Sequence, residues 1–205
     1  MRAVTLALVL LALAAGCGGG DECAEVDAPE ARDPGSRDAP TDSLAGGTTY
    51  GLTFETSCGS FTVTLDTALA PNTTASLVAL ARDGYFDDTI FHRVVPDFVI
   101  QGGDPTQSGS GGPGYSTVDI PPSDAIYAKG TVAMAKASAE APGTSGSQFF
   151  IVTGDAAADV LTPDYAIVGE VTEGIDAVDR IGALGVADGP PSRPVVVTGV
   201  TVTES

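Results

Sequence analysis

The sequence predicts a mainly β domain closed into a barrel. Short runs rich in Val, Ile, Thr and Phe recur with alternating polarity, each bounded by Gly, Pro, Asn, Asp or Ser. Only two stretches carry the three-to-four spacing of an amphipathic helix. Many short strands with so little helix leave sheet edges exposed unless the sheet closes on itself.

The first strands are Tyr50 to Thr56 and Ser60 to Asp66, a hairpin around Ser57-Cys58-Gly59. Pro71 opens a helix whose stripe is Leu77, Leu80 and Ala81 and which Gly84 closes. Two strands follow, Phe91 to Val95 and Phe98 to Gln101, divided by Pro96-Asp97. Alternation puts Phe91, Arg93 and Val95 on one face and His92 and Val94 on the other. Thr131 to Ala135 and Gln148 to Thr153 are strands joined by a loop of small residues, with Gln148 and Phe150 on one face and Phe149 opposite. Asp155 to Asp164 reads as a loop and Tyr165 to Val171 as a strand. Ile175, Val178 and Ile181 mark the second helix, and Pro194 to Thr203 is the last strand.

At 205 residues the chain holds one ordinary domain and a tail. Its formal charge of −18 excludes nucleic acid as a partner, because phosphates demand a basic face. Residues 1–16 read as a signal peptide: Arg2 supplies the charge and Ala3 to Ala15 the apolar stretch. Leu13-Ala14-Ala15-Gly16-Cys17 resembles a lipobox, so Cys17 is the expected lipid anchor; secretion after Ala12-Leu13-Ala14 is the alternative. Residues 17–47 are acidic, rich in Pro and Gly and poor in large apolar side chains. They read as a flexible tether ahead of a domain at 48–205. With Cys17 acylated, Cys23 and Cys58 remain, and in an exported protein such a pair commonly joins, here stapling tail to barrel. The chain is expected in the cell envelope, as a monomer.

The stretch Ile90 to Gly114 concentrates the chemistry. It holds the only His, His92, and an Arg set among Phe and Val. A single His leaves no second His ligand for a metal, and a Ser-His-Asp triad would have to use His92, so no metal site is expected. Gly109-x-Gly111-x-x-Gly114 matches a dinucleotide fingerprint in letters only: Pro113 interrupts it and no helix follows. The run is a turn-rich loop. No cofactor is expected.

Two motifs in register resemble those of the cyclophilin family of peptidyl-prolyl isomerases. Phe91, His92, Arg93, Pro96, Phe98, Gln101, Gly102, Gly103 and Asp104 match the first. Met134, Ala135, Ala137, Gly146, Ser147, Gln148, Phe149, Phe150 and Ile151 match the second. The resemblance runs from about Tyr50 to the C-terminus. It implies an eight-stranded antiparallel barrel capped by two α-helices, with an active groove on the outer face that takes proline-containing polypeptides. Rotation about an X-Pro bond needs no nucleophile, metal or cofactor. It needs a fixed donor that favours the twisted amide over either planar form. Arg93, always charged and rigidly forked, is the candidate. Phe98, Val99, Phe150, Leu161 and Tyr165 would make the apolar socket for the proline ring. Gln101 would orient Arg93 or bond the substrate carbonyl. Ala135, Lys136 and Ala137 would bind the extended peptide through backbone groups, with Gln148 and Gly109 lining the neighbouring subsite. Phe91, Phe149 and His92 read as structural.

The sequence departs from the family's commonest pattern at four of these places. Val99 replaces a Met, Lys136 an Asn and Tyr165 a His, while Val160 stands where many members have Trp. Val99 should make the socket shallower, and the missing Trp should weaken binding of cyclosporin-class inhibitors. Two other functions fit the same residues less well: a non-catalytic Pro-peptide-binding chaperone, and a structural envelope scaffold. Neither requires the charge of Arg93.

Overall fold

A computed structural model describes residues 23–205. Cys17 and the expected signal peptide lie outside the described residues. Eleven strands and three helices occur in the order β1 (Tyr50–Thr56), β2 (Gly59–Leu65), α1 (Pro71–Arg82), β3 (Thr89–Ile90), β4 (Arg93–Val95), β5 (Val99–Gly102), β6 (Thr117–Val118), β7 (Thr131–Met134), β8 (Thr144–Ser145), β9 (Phe149–Val152), α2 (Ala156–Val160), β10 (Ile167–Glu173), α3 (Ile175–Gly182) and β11 (Val196–Glu204).

The closed eight-stranded barrel is corrected. Nine strands form one curled antiparallel sheet, β3-β11-β1-β2-β10-β7-β9-β5-β4, whose end strands β3 and β4 do not pair, and β6 and β8 make a separate two-stranded piece. The end strands are two fragments of one run. Phe91 and His92 between them leave the ladder, and Phe91 turns into the core with no exposed surface. The unbroken strand expected from Phe91 is therefore shortened, and Phe91 parts from Arg93 and packs with Val94 instead. The two capping helices also become three, since Ala156–Val160 forms a short α2 inside the expected loop.

The inner face of the curled sheet carries the main core. Leu52, Phe54, Phe61, Val63, Val94, Ile100, Val132, Met134, Phe149, Ile151 and Val168 meet there, and burial at this scale supplies the dominant folding term. Helix α1 covers this core with Leu77, Val78, Leu80 and Ala81. Its first turn has no side-chain cap of its own. Asp119 supplies one from a distant loop, accepting from the Thr73 backbone N–H at 2.7 Å and the Thr73 hydroxyl at 2.7 Å. Helix α3 lays Ala177, Val178 and Ile181 on the same core.

The tail was expected to be a flexible tether stapled to the domain at Cys23. Its described part, residues 23–47, forms no helix or strand but lies along the domain. Cys23 and Cys58 are disulfide-bonded, and the Ala24 N–H donates to the Ser57 carbonyl at 2.7 Å. Arg32 donates to the carbonyls of Tyr85 and Asp87 at 2.5 and 2.7 Å, and the Arg37 guanidinium stands 4.7 Å from the centre of the Tyr85 ring. The composition cannot build a core, but it can borrow a surface: two Arg, one Cys and Leu44, which packs against the main core, fix the segment.

Candidate active site

Strand register builds the site. Across the sheet Arg93 pairs with Gln101, Gln101 with Phe150, and Phe150 with Ala133, so the four side chains stand in one row on the outer face. The next row is Val95, Val99 and Val152. Between these rows Val94, Ile100 and Ile151 point to the inner core. The same strands thus serve two faces by parity alone.

The outer face carries a second, smaller apolar cluster of Val99, Tyr127, Ala133, Phe150, Val152 and Ala157, with Phe98, Leu161 and Tyr165 packed against it. Above it opens a cavity of about 330 Å³ lined by Arg93, Phe98, Val99, Gln101, Ala135, Lys136, Phe150, Val160, Leu161, Thr162 and Tyr165. Its wall is aromatic and set at right angles: Phe150 and Tyr165 meet edge to face at 5.4 Å. Tyr127 fixes this wall from below. Its hydroxyl donates to the Tyr165 carbonyl at 2.8 Å and accepts the Tyr165 N–H at 3.1 Å. Burial pushes the Tyr127 hydroxyl above its ordinary pKa. Lys136 reaches over the Tyr165 ring with its ammonium 5.6 Å from the centre.

A second cavity of about 430 Å³ adjoins the first and shares Gln101, Ala135 and Lys136 with it. Gly109, Gly111, Ala137, Glu140 and Gln148 are among its other lining residues. A chain of hydrogen bonds joins the two. Arg93 Nη1 donates to Gln101 Oε1 at 3.3 Å, Gln101 Nε2 to Gln148 Oε1 at 3.1 Å, and Gln148 Nε2 to the Gly111 carbonyl at 2.9 Å. The glycine-rich loop is organised by Asp104, which is fully buried. Burial alone would raise its pKa, yet the carboxyl lies below its ordinary value. Donation from the Thr106 hydroxyl and from the backbone N–H groups of Gly111, Thr106 and Gly109 outweighs desolvation. This explains two of the glycines. A Cβ at Gly111 would lie 2.0 Å from Asp104 Oδ1, and Gly103 takes a φ of +85° with the Ser147 carbonyl 2.4 Å from any added Cβ.

Every expected catalytic and substrate-binding residue falls on these two cavities. Arg93, Phe98, Val99, Gln101, Phe150, Leu161 and Tyr165 line the first, Gly109, Ala137 and Gln148 the second, and Ala135 and Lys136 the ridge between. His92 lies beneath the glycine-rich loop, its Nε2 3.7 Å from where a Gly109 Cβ would stand. Among the described residues neither of its ring nitrogens has a hydrogen-bond partner, and burial lowers its pKa. Sequence reasoning missed Tyr127, Glu140 and Asp188. A lone Tyr in a loop gives no periodic signal. Glu140 accepts the Ala137 N–H at 2.6 Å from within its own turn. Asp188 meets Arg93 from the α3–β11 loop, its carboxylate accepting from Nε at 2.6 Å and from Nη2 at 3.1 Å.

Comparison with known proteins places this geometry. Residues 51–202 match the family described as cyclophilin type peptidyl-prolyl cis-trans isomerase. The chain is 39% identical over 151 residues to the peptidyl-prolyl cis-trans isomerase-like 1 of Gibberella zeae, covering 72% of this chain and 89% of that protein. It is 33% identical over 194 residues to the probable peptidyl-prolyl cis-trans isomerase B of Mycobacterium leprae, covering 85% of this chain and 62% of the relative. A crystal structure of a Cryptosporidium parvum cyclophilin type isomerase superposes with a TM-score of 0.69 at 28% identity, covering 77% of this chain and 99% of that one. A second structure of that protein, obtained in the presence of the dipeptide Ala-Pro, superposes at 0.67 with 29% identity, covering 76% and 99%. The chain belongs to the cyclophilin-type peptidyl-prolyl cis-trans isomerases and is an enzyme of that class.

Proposed function

We propose that the outer-face groove accelerates rotation of X-Pro peptide bonds in exported or envelope proteins, with Arg93 stabilising the twisted amide. The observation that carries this reading is the row Arg93–Gln101–Phe150, which sets a fixed cation beside an apolar aromatic cavity. Uncatalysed rotation faces a barrier of about 18–20 kcal/mol and takes tens of seconds or longer. The proline ring sits in the cavity of Phe98, Val99, Phe150, Leu161 and Tyr165, and the guanidinium faces the prolyl nitrogen. As the amide twists, its nitrogen lone pair leaves conjugation and becomes an acceptor. A donor held there beforehand strengthens in the twisted state and not in the planar ones. A million-fold gain asks about 8 kcal/mol of Arg93, desolvation and ring clamping together. The residue before proline occupies the second cavity, with the backbone of Ala135, Lys136 and Ala137 along its edge. A related Cryptosporidium parvum structure obtained in the presence of the dipeptide Ala-Pro is consistent with this reading.

We also propose that the protein acts outside the cytoplasm, held at a membrane through acylated Cys17 or else secreted. The Cys23–Cys58 disulfide supports an oxidising compartment. Labelling cells with a palmitate analogue reads out the anchor: label in the parent and none in Cys17→Ser supports it, and an unlabelled parent refutes it.

A protease-coupled assay on an Ala-Pro peptide tests the activity, run on the purified protein and its Arg93→Ala variant. Acceleration that falls by about a hundredfold or more in the variant supports the proposal, a loss within the range for one preorganised donor. Equal acceleration by both proteins removes Arg93 from the mechanism. A parent that binds the peptide without accelerating its isomerisation is a binding module.

A further inference from the structure

We infer that Asp188 is a positioning residue for the reaction: its bidentate grip on Nε and Nη2 fixes the plane of the Arg93 guanidinium over the socket. The inference rests on the reading of Arg93 given above.

A long, flexible Arg on a two-sided groove needs more than one restraint to hold a single orientation. Gln101 supplies a weak one, a single bond of 3.3 Å to Nη1. Asp188 supplies the strong one, two parallel charge-assisted bonds of 2.6 and 3.1 Å. An isolated surface pair would contribute little, but fork-to-fork geometry with a carboxylate is the exception, because it fixes a plane as well as a distance. Arg93 is less exposed than its partner, 31% against 68% for the side chains, so the pair sits at the rim of the groove with the cation inward. Arg93 in turn holds the Asp188 carboxyl below its ordinary range.

The loop that carries Asp188 is itself docked on the strand that carries Arg93. The Val94 N–H donates to the Gly189 carbonyl at 2.8 Å, one residue past Asp188. Three residues before it, Gly185 packs so closely on β4 that an added Cβ would stand 2.9 Å from Pro96 Cδ and 3.0 Å from the Val94 carbonyl. The Ser192 N–H closes the loop onto the Leu184 carbonyl at 2.8 Å. Asp188 is thus an exposed side chain on a fixed backbone. The division of donors follows. Asp188 occupies Nε and one proton of Nη2, Gln101 takes one proton of Nη1, and the substrate meets the remaining two.

Because the grip acts on orientation in the twisted state, its loss should lower kcat and leave KM alone. The test compares the full-length protein with Asp188→Asn, Asp188→Glu and Arg93→Ala. Steady-state isomerisation gives kcat and KM, and the Nε–H resonance of Arg93 in a nitrogen-proton correlation spectrum reports the grip. Asp188→Asn should lose about five- to tenfold in kcat with KM within about twofold, a range typical of one charge-assisted contact. Its Arg93 Nε–H signal should shift and exchange faster with water, and Asp188→Glu should recover most of both. Unchanged or raised kcat in Asp188→Asn, with Arg93→Ala inactive, overturns the inference and leaves the reading of Arg93 intact. Full activity in Arg93→Ala overturns that reading instead. A fall in kcat without any change in the Nε–H signal also overturns the inference, since the effect would then not pass through Arg93.

Discussion

The two faces of β5 and β9 carry almost the same kinds of residue to different ends. On the inner face Phe149 meets Phe54, Phe86 and Phe91 at ring distances of 5.2, 6.1 and 6.1 Å, and Ile100 and Ile151 belong to the same buried core. On the outer face Val99 and Phe150 are just as buried, at 2% and 4% exposure, but their roof is a cavity and their neighbours include Arg93 and Gln101. Adjacent residues Phe149 and Phe150 therefore belong to different machines. One closes a core, the other lines the cavity proposed as the proline socket. What separates them is a single step of strand parity.

Removing the inner ring tests the comparison hardest. Phe149→Ala should cost about 3–5 kcal/mol of stability, read as a drop in the urea midpoint, with kcat normal in whatever fraction stays folded. Reduction of the disulfide, or Cys58→Ser, should cost about 3–4 kcal/mol on chain-entropy grounds for its separation of 35 residues. The strap it anchors also touches the outer face, through the Arg32 N–H to the Pro105 carbonyl and the Arg37 N–H to the Pro113 carbonyl. A shift in KM on reduction would assign the strap to the site as well as to the scaffold. Phe150→Ala should do the reverse of Phe149→Ala: about a hundredfold loss in kcat/KM, near 2.7 kcal/mol, with a smaller loss of stability because its cavity already opens to water. Equal stability losses at Phe149 and Phe150 would break the distinction between the faces.

Smaller effects refine it. Lys136→Ala removes the ammonium over Tyr165 and should raise KM about two- to fivefold, the scale of one exposed cation–π contact. His92 gives a pH signature of the packing beneath the glycine-rich loop. Burial lowers its pKa, so the unfolded chain takes up a proton near the ordinary value of 6.5 while the folded chain does not. The unfolded state then binds more protons. Stability is full above 6.5 and falls as pH drops below it, and His92→Gln should flatten that slope in urea titrations. Asp104 acts lower on the scale. Its depressed pKa makes its contribution full above the ordinary 3.8 and lost as pH falls through the folded value.

Much of the outer face was legible in the sequence because strands have a period of two. Parity alone grouped Arg93 with Val95 and Gln148 with Phe150, the family resemblance added Gln101, and only the strand register puts Arg93, Gln101 and Phe150 in one row. Parity failed at Phe91, where the chain steps out of the ladder between two sheet ends, an event set by sheet curvature and not by local propensity. The expected closed barrel failed at the same point, since β3 and β4 are continuous in sequence without pairing. For residues 23–47 the Cys23–Cys58 staple was legible from the cysteine count, but low hydrophobicity is silent about the surface contacts of Arg32 and Arg37. Tyr127 and Asp188 sit on loops, where no periodicity points a side chain anywhere. Only the fold brings Asp188, 95 residues away, onto Arg93.

The central claim is that Arg93 acts on the twisted amide and little on the resting one. Nuclear magnetic resonance of a Pro-containing peptide titrated with the protein measures both quantities in one sample: the dissociation constant from shift changes, and catalysed exchange from line shapes. The account predicts that Arg93→Ala binds the peptide within about threefold of the parent while its catalysed exchange falls at least about a hundredfold. Binding and exchange that weaken together, by the same factor, would contradict it.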